Sequence, residues 1–169
     1  MNMYDADTNG AGTAPAFIRL AAAFFALFAG VAAMSSAFAA DQGEAAMHTP
    51  LTMENLRAFV AASANLQAVA AKHPELEDRI SAGVDESFQQ SVERFQEPHL
   101  KKALADAGLT PVEYATLDYA LINAALGMIY KKSSGGELDK VYDRHNVEFL
   151  ETHKKELEQL KKEYGLQDD

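Results

Sequence analysis

The chain has 169 residues, with 25 acidic against 15 basic side chains, a formal charge of -10 and no cysteine. Without cysteine it can form no disulfide, thiolate metal site or cysteine nucleophile, and it lacks the residue that bacterial lipid anchoring requires. The acidic excess works against binding to nucleic-acid phosphates or to an anionic membrane surface, since both need clustered Lys and Arg.

A chain of this length fits one domain. Residues 1–40 read as a signal peptide. Arg19 precedes an apolar run from Leu20 to Met34, followed by Ser35-Ser36-Ala37-Phe38-Ala39-Ala40. Ala37 and Ala39 put small side chains at the two positions a signal peptidase reads, so cleavage is expected after Ala39 or Ala40. The stretch before Arg19 is long and carries Asp5 and Asp7. The competing reading is an uncleaved anchor, because Leu20 to Ala40 is just long enough to cross a bilayer. No basic stop-transfer cluster follows, which favours export to the bacterial periplasm or medium with no stable membrane anchor left behind. Lacking disulfides in an oxidising compartment, the mature chain must rely on helix packing.

Residues 41–50 contain Gly43 and Pro50 with no periodicity and are expected to be a flexible leader to a helical domain at 51–165, with 166–169 as a tail. The first helix of that domain opens at Thr52 and runs to about Lys72. Leu56, Phe59, Val60, Ser63, Leu66, Gln67 and Ala70 recur at three- and four-residue intervals. His73-Pro74 ends it. Leu76, Ile80, Val84, Phe88 and Val92 follow at a spacing of four, which would wind the stripe nearly halfway round a straight helix. A break at Gly83 resets the phase, so two short pieces are expected. Pro98 to Ala107 forms another short helix, stopped by Gly108 in the left-handed conformation with Leu104 meeting Leu109 across the cap.

Thr110-Pro111-Val112-Glu113 then supplies a capping box with proline at the first helical position. The central helix spans about 111–131 and is apolar over most of its circumference, as expected of a helix surrounded by others. Ser133-Ser134-Gly135-Gly136 closes it. A last helix is expected over about 138–164, with Leu138, Val141, Tyr142, Phe149, Leu157, Leu160 and Tyr164 on one side and a solvated, charged face opposite. Leu150, Leu157 and Tyr164 are spaced by seven, so this helix could also serve as the seam of a homodimer. The fold class is all-α, a bundle of about five helices.

The run Ala107-Gly108-Leu109-Thr110-Pro111-Val112-Glu113-Tyr114, the Ala- and Leu-rich helix after it, Asn146-Val147-Glu148-Phe149-Leu150 and the opening Leu51-Thr52-Met53-Glu54-Asn55 resemble a loosely defined set of small exported bacterial helical proteins. That resemblance implies export and helical architecture and brings no catalytic residues. The two Leu-Thr helix starts are also similar to motifs of periplasmic stress chaperones, although Leu-Thr before a helix is ordinary capping chemistry.

Asp118 stands out because it lies inside the apolar arc of the central helix, among Tyr114, Ile122, Ala125 and Ile129. The expected polar side holds Thr116, Asn123 and Gly127 instead. A carboxylate placed there must be paired, hydrogen-bonded or protonated. It is either a structural acid held by a tyrosine hydroxyl or by an arginine such as Arg57, or a candidate site residue. His145 and His153 fall on the apolar face of the last helix but lie about 12 Å apart along it, too far to clamp one ion. His48, His73 and His99 fall at helix ends. No metal site or cofactor is expected. Tyr114, Tyr119, Tyr130 and Tyr142 could line a pocket, although aromatic residues at helical spacing usually form core. No phosphate loop, nucleophile elbow or paired-histidine zinc motif occurs.

Two functions follow. The first is a non-enzymatic envelope protein that binds a protein partner or holds unfolded clients. The second is a small-molecule binder or enzyme in which Asp118 works with His145 or with a tyrosine such as Tyr114 or Tyr142.

Overall fold

A computed structural model describes residues 40–81 and 86–166. The expected signal peptide, apart from Ala40, and the expected break at Gly83 lie outside the described residues. Among those residues the fold is all-α, with eight helices and one 3-10 turn. None of these helices is long and apolar enough to cross a membrane.

Helix α1, Ala40–Met47, occupies most of the stretch expected to be an aperiodic leader. It lies against the central helix, where Gly43 approaches Tyr119 and Phe88, and Ala46 is buried in a small cluster with Phe88 and Ala115. Its periodicity is invisible in the sequence because only two small residues, Gly43 and Ala46, face inward along eight positions.

Helix α2, Met53–Lys72, starts from a capping box in which the Thr52 hydroxyl accepts from the Asn55 amide and Asn55 Oδ1 accepts from the Thr52 amide. It buries Leu56, Phe59, Val60, Ala62, Ser63 and Leu66, the face read from its spacing. After a 3-10 turn at Pro74–Leu76 come α3, Glu77–Ser81, and α4, Phe88–Arg94. Helix α4 starts from its own capping box, Ser87 with Gln90. Helix α5, Pro98–Asp106, ends as expected: Gly108 has φ +80° and the Leu109 amide donates to Leu104 O at 3.0 Å.

Helix α6, Pro111–Ser133, is the axis of the fold. Its N-terminus is fixed by Thr110 and Glu113, and its inner side carries Tyr114, Leu117, Leu121 and Ala124 into the main core with α2, α5 and α7. Two expectations need correction here. The supposed polar side is inside, because Asn123 and Gly127 face α7. Nor is the helix covered on every side, since Val112, Ile122, Ile129 and Tyr130 remain exposed.

The single helix expected over 138–164 is two helices after a loop: α7, Arg144–Thr152, and α8, Lys154–Glu163. The loop is held in place by Asn123, whose amide donates to Val141 O and whose oxygen accepts from the Asp143 amide. Asp143 then caps α7, so the helix cannot begin at Leu138. The break between α7 and α8 falls at His153, whose Nδ1 lies 2.9 Å from Phe149 O while its ring stacks on Phe149. This turn brings Leu160 onto Val60 of α2, together with Leu166 from the expected tail. Leu150, Leu157 and Tyr164 therefore do not lie along one straight helix, and Leu150 is part of the chain's own core.

Candidate functional site

The buried polar groups of the fold gather where α4 crosses the first half of α6. Tyr114 and Asp118, one turn apart on α6, face this crossing. The Tyr114 ring is stacked on Phe59 at 4.7 Å and meets Phe95 edge-on at 4.8 Å. Its hydroxyl lies 3.3 Å from Ser63 Oγ, and Ser63 donates back to Phe59 O. Burial, and then the nearby Asp118 charge, push the Tyr114 hydroxyl above the usual tyrosine range, so it stays protonated as a structural donor.

Asp118 is partly buried, and among the described residues no donor hydrogen-bonds to its oxygens. Its charged neighbours are Arg94 and Glu86. Burial pushes its carboxyl up to about 6; Arg94 opposes that rise and Glu86 adds to it. The arginine suggested by sequence, Arg57, is exposed.

Arg94, the last residue of α4, has a side chain only 8% exposed. Nη1 donates to Arg79 O at 2.7 Å and Ile80 O at 3.3 Å, and Nη2 to Ser91 Oγ at 3.3 Å. The guanidinium also packs over the Phe95 ring at 4.3 Å. Glu86 Oε2 lies 2.9 Å from Nη2 but out of line for a hydrogen bond, so charge alone pairs the two. Arg94 Nε is buried and finds no acceptor among the described residues. The Tyr119 hydroxyl donates to Glu86 O at 2.7 Å and holds this acid beside α6. Sequence analysis missed Glu86 and Arg94. The signal for both was Ser87-x-x-Gln90, a capping box that places Glu86 just before a short helix and Arg94 in its last turn.

The other two candidate residues lie elsewhere. Tyr142 packs on Tyr130 at 5.3 Å and against Gly127, in the loop before α7. His145 is exposed in the first turn of α7 and is not among the charges acting on Asp118. The structure therefore unites Tyr114 with Asp118 and leaves Tyr142 and His145 apart from them.

Beside this cluster lies a shallow, open depression lined by Asp78, Arg79, Glu86, Gln90, Glu93 and Arg94. It is not an enclosed cavity of the kind that surrounds a small ligand. Among the described residues, no group of three or more His, Asp or Glu could hold a metal ion.

Beyond Asp118 the same arc of α6 emerges from under α4. Ile122, Ala125 and Ile129 continue it at successive turns, and Ile122 and Ile129 are 41% and 43% exposed. Tyr130 and Val141 add exposed apolar surface at that end of the helix. Compared with family models, curated proteins and solved structures, the chain matches none.

Proposed function

We propose that this is an exported, acidic, non-enzymatic protein of the bacterial envelope that binds apolar segments of a protein partner or unfolded client along the outer face of α6. The observation that carries the reading is the stripe formed by Ile122, Ala125 and Ile129, which keeps large aliphatic groups in water on the axial helix of the fold. Isolated apolar side chains are common on protein surfaces, but aligned ones that continue a core face suggest a contact surface. An apolar helix face is suited to covering an apolar segment of another chain. The net charge of -10 keeps such a protein soluble despite the exposed stripe.

The alternative, a small-molecule binder or enzyme built on Asp118, has Tyr114 at hand. Tyr114 is already committed to Ser63 and to two aromatic rings, and His145 stands elsewhere.

The test is suppression of aggregation. At near-stoichiometric ratio the mature protein should keep a chemically unfolded client in solution, and Ile122→Ser with Ile129→Ser should lose that activity while melting as the parent does. A parent protein that leaves client aggregation unchanged would overturn the reading, as would a double variant that protects equally well. Export has its own readout: protein recovered outside the cytoplasm should begin at Ala40 or Asp41.

A further inference from the structure

Arg94 joins three parts of the fold. Its guanidinium holds the last carbonyls of α3 through Nη1, closes onto Ser91 within α4, and faces the two carboxylates Glu86 and Asp118. Helix α2 contributes only the uncharged Ser63 hydroxyl here, through Tyr114. Helix α6 contributes Asp118 and the phenols of Tyr114 and Tyr119, and α1 reaches Tyr119 with the backbone of Gly43. Helix α7 packs on the opposite side of α6, through Val147. The cluster thus contains two acids and one base, and the second acid, Asp118, has no hydrogen-bond donor among the described residues. With both acids ionised it holds one uncompensated negative charge in a poorly hydrated contact, a costly arrangement. One proton on Asp118 removes the excess and leaves Glu86 and Arg94 as a balanced pair.

We propose that Arg94, Glu86 and Asp118 form a proton-operated clamp, which fastens α3 and α4 to the central helix in mildly acidic solution and loosens them when Asp118 ionises. The direction follows from linkage. A carboxyl whose proton is held more tightly in the closed state than in the open one makes opening easier as pH rises. Burial and the Glu86 charge both hold that proton, with a midpoint near 6, well above the ordinary aspartate value of 3.8. The clamp stands independently of the binding role proposed for α6, although the apolar stripe begins one turn beyond Asp118.

The experiment follows the Asp118 carboxyl carbon by NMR across pH in the mature protein, together with amide exchange of α4. The titration midpoint should lie near 6. In Glu86→Gln it should fall by roughly half a pH unit or more, because the like charge is gone. After correction for intrinsic rates, α4 amides should open roughly tenfold more readily at pH 8 than at pH 5, and Asp118→Asn should abolish that step. An Asp118 midpoint at the ordinary aspartate value would overturn the clamp. So would a midpoint unmoved in Glu86→Gln, or α4 protection that is independent of pH. The wild-type titration and exchange require no variant, so a poorly folding substitution leaves the proposal open to refutation.

Discussion

At Gly127 an added Cβ would lie 2.6 Å from Val147 Cγ2 and 3.1 Å from Tyr142 Cβ. Gly127→Ala therefore sets two effects against each other. Alanine in a helix interior is favoured over glycine by about 1 kcal/mol, whereas overpacking a core costs about 1–3 kcal/mol. Val147 is fully buried and β-branched, so it has little freedom to swing away. The clash should win, with a net loss of about 1–2 kcal/mol in urea unfolding, and Val147→Ala in the same chain should recover part of it. A Gly127→Ala protein as stable as the parent would show that α7 can shift outward. Single residues were unevenly legible in the sequence. Asp118 was conspicuous because a carboxylate broke an apolar arc, whereas Gly127 passed for part of a polar side because a glycine leaves no apolar mark. The partners of Asp118 were hidden for another reason. Glu86 and Arg94 lie in a different helix, and nothing in their spacing reports which side chain faces them across the crossing.

Helix starts were legible wherever a side chain closes back on its own backbone. Thr110 and Glu113 illustrate the pattern. The Thr110 hydroxyl accepts from the Glu113 amide at 3.2 Å, and the Glu113 carboxylate accepts from the Thr110 amide at 2.8 Å. Those contacts, the backbone amide first and then the hydroxyl, hold the Glu113 carboxyl below the ordinary range. Thr110→Ala should cost about 1 kcal/mol of stability and let the Glu113 titration drift back toward 4.5, both readable in one pH series of melts and carbon shifts. An unmoved Glu113 would mean that the hydroxyl contributes nothing to the cap. The last helix was misread because two local devices overrule its apolar periodicity. Asp143 caps the chain late, and His153 turns its own ring onto the Phe149 carbonyl. Helix α1 was missed because its inward face is two small residues, which carry almost no hydrophobic signal.

For the whole molecule, the two perturbed acids set a pH optimum. Asp118, with its folded-state pKa raised to about 6, binds its proton more tightly folded than unfolded, so stability rises as pH falls through that value. Its contribution is at most about 3 kcal/mol, and less to the extent that solvent reaches the carboxyl. Glu113 has the opposite sign: its lowered pKa stabilises the fold above the ordinary glutamate value, and that gain is lost as pH falls through the depressed one. Melting temperature should therefore peak on the acid side of neutrality, between about pH 4 and 6. A peak at pH 7 or above would contradict the placement of Asp118. The all-α class was legible at this scale, because it follows from periodicity alone, but the exposed stripe on α6 was not. An apolar helix looks the same in sequence whether every side is covered or one is left open. A last consequence concerns the order in which the chain is made. Asn146 is fully buried, with Oδ1 accepting from the Leu51 amide and Nδ2 donating to Thr49 O, both at 2.8 Å. These contacts join positions 95 and 97 residues apart. Closing so long a loop is slow, and it cannot begin before the later partner has left the ribosome. Until then the entry to α2 has two backbone groups without their partner, and the nascent polypeptide can still be threaded through a narrow channel.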